Sequence, residues 1–311
     1  MTSPHESRPS GGDPLPSWND GTAKSAILGF VRRVTTAGPD FVAPVDRIAA
    51  FDNDGTLWVE VPVPPQFDFV FRRWRREAEE DPSLADLQPY KALIHNDPSF
   101  LRGAAAQDPE VISSILDAFD RSWAGTTPAD FEAEVREWLD SVTHPTMGAL
   151  HQDLVYQPMI ELFDLLRDNE FRVFVCSGGG RDFMRVFAEE MWGIYKENVI
   201  GSAAEYVYEN GSLVRGRGIS GEINLGPRKP ESIYAQTGRL PVFAGGNADG
   251  DIEMLTAASF GLLILHDDAD REFAYTRSAE QSLEMAAGIG WTVVSMKLDW
   301  NTVFSDRSPG D

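Results

Sequence analysis

The chain has 311 residues, 42% of them hydrophobic, enough for one large domain or two smaller ones around a substantial core. Its 49 acidic residues against 27 basic ones give a formal net charge of -22. That field repels nucleic acid and anionic membrane surfaces, so neither is expected as a partner, and a site for an anionic small molecule must supply its own positive charge.

Residues 1–18 read as a disordered leader, because Met1 to Pro16 is rich in Ser, Pro and Gly and has no apolar stretch of the signal-peptide kind. No run approaches the roughly 20 apolar residues of a membrane span. Asn19 or Asp20 can cap a helix running to about Val34. Arg47 to Phe51 is a short apolar run and reads as a buried strand. It delivers Asp52-Asn53-Asp54-Gly55-Thr56, in which two carboxylates fall on the same side of an extended chain and Gly55 lets the backbone turn away. Paired carboxylates repel each other, so they suit a bound cation or a split between nucleophile and proton carrier.

From Val61 to Tyr156 the patterns are helical. Phe67, Val70, Phe71 and Trp74 make one apolar stripe, Phe131, Val135, Trp138 and Leu139 another, and Thr127-Pro128 with Asp130 marks a helix start. A helix over Gln157–Asp168 follows, with Met159, Leu162, Phe163 and Leu166 on one face. Strands are expected at Phe171–Cys176, Leu240–Ala244, Gly261–Leu265 and Trp291–Ser295, and a hairpin over Tyr206–Arg217 turning at Asn210-Gly211. Strands alternating with helices predict an α/β fold, a Rossmann-like parallel sheet flanked by helices. The expected core is residues 19–60 and 157–311, with an all-helical cap, 61–156, inserted after the first motif strand.

Three more motifs fall at expected strand ends, where open parallel sheets bind ligands. Ser177-Gly178-Gly179-Gly180 offers a hydroxyl and bare backbone N–H groups to an anion. Lys229 can neutralise a phosphate and a carboxylate together. Gly246-Asn247-Ala248-Asp249-Gly250-Asp251 offers oxygen ligands that suit Mg²⁺. Both Asp-rich loops fail as calcium loops, because the twelfth residue is Val61 or Thr256. Cys176, the single cysteine, reads as a buried filler and allows no internal disulfide, which fits a reducing, cytoplasmic setting. The five histidines show no metal-ligand spacing and read as structural or exposed, with His266-Asp267-Asp268 a loop after a strand. Arg72, Arg73, Arg75 and Arg76 read as a solvated helix face.

Together, in this order and each at a strand end, the four motifs resemble the haloacid dehalogenase-like hydrolases, from about Arg47 to Leu255, and within them the phosphoserine phosphatases. The resemblance implies Asp52 as a nucleophile forming an aspartyl-phosphate and Asp54 as the proton carrier. Ser177, Lys229, Gly178, Gly179 and Thr56 would surround the phosphoryl group of a small phosphorylated metabolite. Mg²⁺ would sit on Asp52, the Asp54 carbonyl and the last motif, with Asn247 first and Asp251 next in preference and Asp249 a further source of charge. The superfamily's dehalogenases lack an acid at the position of Asp54, so Asp54 favours phosphate esters. Asn247 departs from the usual aspartate. Glu60 stands near the place where phosphoserine phosphatases hold the substrate ammonium. The rivals are a phosphotransferase or a sugar or nucleotide phosphatase of the same superfamily, or a silent ligand-binding module.

Overall fold

The computed structural model describes residues 12–106 and 108–305. Its strands are β1 (Ile48–Phe51), β2 (Arg172–Gly180), β3 (Val199–Ser202), β4 (Ala204–Glu209), β5 (Ser212–Ile219), β6 (Phe243–Gly246), β7 (Phe260–Asp267), β8 (Ala274–Tyr275) and β9 (Thr292–Ser295). Seven form one sheet in the order β3-β2-β1-β6-β7-β8, with β9 also paired to β7. All its pairings are parallel except that of the two-residue β8.

The four residues of β1 are fully buried, and their alternation explains the layering. Ala49 and Phe51 join an apolar cluster with Phe30, Phe163 and Phe243 on one face. Ile48 and Ala50 join Phe174, Ile233 and Leu263 on the other. Helices Thr22–Thr35 and Gln157–Asp168 cover the first face, and Arg228–Thr237 and Glu280–Ile289 the second. This is the expected Rossmann-like α/β arrangement. The chain order reverses between β1 and β6, the place where such sheets open a crevice.

Three local differences have physical reasons. β2 runs on through Ser177 to Gly180 instead of ending at Cys176, with a shifted register against the unexpected edge strand β3. That edge strand carries only Val-Ile-Gly-Ser, too short for a period to show. β6 starts at Phe243, later than Leu240, which is exposed. Residues 13–18 of the expected leader pack against the core. Leu15 and Trp18 are buried, and Ser17 donates from its N and Oγ to Glu161 at 2.8 and 2.6 Å. Two apolar side chains and one buried acceptor tie residues 13–18 to helix Gln157–Asp168, which a count of Ser, Pro and Gly does not weigh. Residues 1–11 of the expected leader lie outside the described residues.

Between Val61 and Tyr156 the described residues form helices Pro65–Glu80, Tyr90–Ile94, Pro98–Ala105, Pro109–Trp123 and Pro128–Ser141, with isolated bridges but no strand. Thr127 and Asp130 form the capping box at the last of these. Phe67 is exposed, and Phe69 takes its place inside. Phe69 stacks on Trp123 with centroids 5.5 Å apart and meets Phe183, beyond β2, at 5.6 Å. The apolar interior of the insert therefore continues into one face of the sheet. The hairpin β4–β5 turns at Asn210 and Gly211, both at positive φ (50° and 83°), as a two-residue hairpin turn demands. It is stitched to the insert, since Gly125 and Arg215 exchange backbone bonds with Arg215 and Thr126 at 2.8 Å. No described helix is long and apolar enough to cross a membrane.

Candidate active site

Three neighbouring strands, β2, β1 and β6, present Ser177, Asp52 and Asn247 at their C-terminal ends. Asp52 continues the ladder, its N–H donating to Gly245 O at 2.9 Å. Lys229, in the first turn of Arg228–Thr237, reaches up beneath this edge. Its Nζ donates to Asp52 Oδ1 at 2.6 Å and to Asp251 Oδ1 at 2.5 Å. Asp251 is fixed from the other side, because its Oδ2 accepts the backbone N–H groups of Asn247 and Ala248 at 3.1 Å. Gly246 makes room for it, since a Cβ there would lie 2.6 Å from the Asp251 carboxyl. Asp249 points elsewhere and accepts from Ser282 N at 2.8 Å, so it adds no charge to this cluster.

Lys229, Asp52 and Asp251 are all buried. Burial pushes the Asp52 carboxyl up to about 8; Asp251 adds to this and Lys229 opposes it. Burial also works against the Lys229 ammonium, but Asp251 and Asp52 outweigh it and hold that pKa above its ordinary value. Two carboxylates to one ammonium leave an excess negative charge that favours a proton or a cation. Asp54 lies beside this cluster. Burial, then the charge of Glu60, push it up to about 7, against the Trp58 indole N–H, which donates to its Oδ1 at 2.8 Å.

The Ser-Gly-Gly-Gly run faces these aspartates. A Cβ built on Gly179 would lie 3.4 Å from Ser177 Oγ and 3.9 Å from Asp54 Oδ2. Gly179 N donates to Ser177 Oγ at 3.0 Å. Gly178 O accepts from Ser202 Oγ at 2.7 Å, and Ser177 O accepts from Asn224 Nδ2 at 2.9 Å. Gln66, in the first helix of the insert, takes the Gly180 N–H at 2.6 Å. Trp58, Gln66, Ser202 and Asn224 escape a motif reading because each comes from a separate stretch with no pattern of its own.

Two residues expected to contact substrate have partners within the protein. Thr56 is fully buried, and its Oγ1 donates to Asn247 Oδ1 at 3.0 Å. Glu60 accepts from Asn247 Nδ2 at 3.0 Å and from the Tyr275 hydroxyl at 2.7 Å, so its carboxylate is tied to the core strands. His266 is no plain loop residue. It lies in β7, buried, with Nε2 at 2.8 Å from Gly55 O and Nδ1 at 3.2 Å from Glu272. Cys176 is a buried filler, its thiol pushed up to about 12 by burial. Arg72 pairs with Asp68 and Arg73 with Glu77 and Glu134, along and between helices of the insert.

Among the described residues no group of three His, Cys, Asp or Glu side chains is placed to hold a metal ion. The cluster at the sheet edge is of another kind: two carboxylates, the Asn247 amide and backbone carbonyls. All are oxygen donors, and carboxylate charge exceeds ammonium charge. That set fits a hard divalent cation.

Two solved structures support the fold. A conserved protein of unknown function from Anaerococcus prevotii DSM 20548 aligns with a TM-score of 0.57 and 13% identity, over 93% of this chain and 96% of the other. A protein of unknown function from Bordetella pertussis Tohama I aligns with a TM-score of 0.51 and 15% identity, over 80% of this chain and 98% of the other. A phosphoserine phosphohydrolase-like protein from Francisella tularensis subsp. tularensis SCHU S4 reaches 0.46 at 15% identity, over 80% and 94%. No significant sequence match is found among curated proteins. The family model for haloacid dehalogenase-like hydrolases matches residues 49–256, which span β1, the insert, the Ser-Gly-Gly-Gly run, Lys229 and Asp251, and the chain belongs to that family.

Proposed function

We propose that this hydrolase cleaves a small phosphomonoester, such as phosphoserine or a similar metabolite, with Mg²⁺ bound at the sheet edge. The observation that carries this reading is the pairing of roles at the end of β1. Asp52 is held at 2.6 Å by a buried ammonium, while Asp54, two residues on, accepts instead from the Trp58 indole N–H at 2.8 Å.

Asp52, gripped by Lys229 and by its own backbone bond to β6, is a fixed carboxylate suited to attack phosphorus in line. Its attack makes an aspartyl-phosphate and expels the alcohol oxygen. Asp54, outside the Lys229 ion pair, is the group placed to give a proton to the leaving oxygen; once deprotonated it can take one from the attacking water. The Ser177 hydroxyl lies on the side of Asp54 and suits a phosphoryl oxygen, while the Gly179 and Gly180 N–H groups are taken by Ser177 Oγ and Gln66. Lys229 offsets the negative charge gathered there. Bound Mg²⁺, held by Asp52, the Asp54 carbonyl and Asn247, with Asp251 oriented by Lys229, would supply charge neutralisation for the phosphoryl group. An acid at position 54 would serve no purpose for a halide, which leaves unprotonated.

The test is a panel of phosphorylated metabolites and p-nitrophenyl phosphate, scored by phosphate release with Mg²⁺. Release from at least one member, lost in Asp52→Asn, is expected. Near wild-type turnover by Asp52→Asn, or tight binding of a panel member without hydrolysis, would overturn the mechanism.

A further inference from the structure

Glu60 touches the chemistry above only through its charge on Asp54, yet it is built in firmly for a half-buried glutamate. Its Oε1 accepts from Asn247 Nδ2 at 3.0 Å and from the Tyr275 hydroxyl at 2.7 Å. Tyr275 stacks on His266 with ring centroids 4.3 Å apart, and His266 is held between Gly55 O and Glu272. The backbone of motif one is shaped around this pair. Gly55 has φ of +72°, and a Cβ there would fall 2.1 Å from Asn247 Nδ2 and 2.6 Å from Glu60 Oε1.

The pairing has two consequences. It engages the NH2 end of the Asn247 amide, so the oxygen end is turned toward Thr56 Oγ1, where it accepts at 3.0 Å. It also places a full negative charge one hydrogen bond behind a neutral side chain. Asn247 brings no charge of its own, and Asp249 is turned away to Ser282.

We infer that Glu60 is a positioning residue of the cation site, which orients the Asn247 amide and supplies through it the negative charge that Asn247 lacks. The inference rests on the Mg²⁺-dependent reading above. Outer partners of this kind set ligand orientation and strength, and their loss costs roughly ten- to a hundredfold in metal affinity.

The test measures Mg²⁺ binding to the metal-free protein by isothermal titration calorimetry. Glu60→Gln keeps an acceptor for Asn247 and Tyr275 and removes only the charge. It should weaken Mg²⁺ binding roughly ten- to a hundredfold while the melting temperature without metal stays near wild type. Adding Asn247→Asp to Glu60→Gln moves the charge from position 60 to position 247 and should restore binding to within a few-fold of wild type. A purely structural Glu60 would not give that rescue. Wild-type Mg²⁺ affinity in Glu60→Gln, or a double variant that binds no tighter than Glu60→Gln, overturns the inference and leaves the proposed function standing. So does a Glu60→Gln variant that changes only KM for the phosphate ester, as a substrate contact would. Failure of the wild type to bind Mg²⁺ overturns the metal-dependent reading itself.

Discussion

The end of the sheet and the inside of the helical insert are both buried, and they are built in opposite ways. At the sheet edge Lys229, Asp52, Asp251 and Asn247 crowd charged and polar groups within about 3 Å of one another. Inside the insert Phe69, Trp123, Phe131 and Trp138 meet ring to ring, with centroids 5.5 to 6.1 Å apart where they contact Phe69. The first region buries charge at the expense of stability. The second gains stability from area and shape. Substitutions in the two regions should therefore fail differently.

The largest effect should come from Asp52→Asn. Phosphate release should fall by at least about a thousandfold, because the proposed nucleophile is gone, while circular dichroism shows an intact fold. A variant that unfolds instead would show that the edge carries stability as well. Trp123→Ala should do the reverse. Trp123 is fully buried against Phe69, Phe119 and Phe131, so its loss should cost about 3–5 kcal/mol in urea denaturation. Because the aromatic interior runs on to Phe183, one cooperative transition is expected; two separate transitions would divide the insert from the core. Gly55→Ala tests the edge at its backbone, where a Cβ meets Asn247 at positive φ. Activity should drop on the order of a hundredfold through misplacement of Asn247.

The smallest effect concerns a charge inside the insert. Burial pushes Asp68 up, but His151, Arg72 and Trp138 outweigh it and hold it at about 2, below the ordinary 3.8. Of these, Arg72 Nε at 2.7 Å and Trp138 Nε1 at 3.1 Å are within hydrogen-bond reach, while His151 stands at 3.7 Å. A depressed carboxyl stabilises the fold above its unfolded pKa, and that stability is lost as pH falls through the folded value. Asp68→Asn should thus cost about 2 kcal/mol near pH 7, a gap that closes between pH 4 and 2. A gap constant with pH would show that the charge is not what matters there.

The same contrast governs what could be read in advance. The helix Gln157–Asp168 and strand β1 were legible because an amphipathic or continuous apolar run announces itself over four to a dozen residues. Motif residues such as Asp52, Ser177 and Lys229 were legible because each sits just past such an element or in a short fixed phrase. Trp18, Phe69, β3 and His266 were not, since their burial depends on partners far along the chain or on a strand too short to show a period.

By itself the sequence determined the α/β alternation, the hairpin at Asn210-Gly211 and the identity of the charged residues at the strand ends. Local periodicity and turn chemistry act over neighbouring residues, and that information is carried in the chain. Only the tertiary structure decided that Lys229 bridges Asp52 and Asp251, that Asp249 turns away, and that Glu60 and Thr56 close on Asn247 instead of facing the insert. Those are choices among acceptors and donors of the same kind, and they are settled by which strands lie side by side.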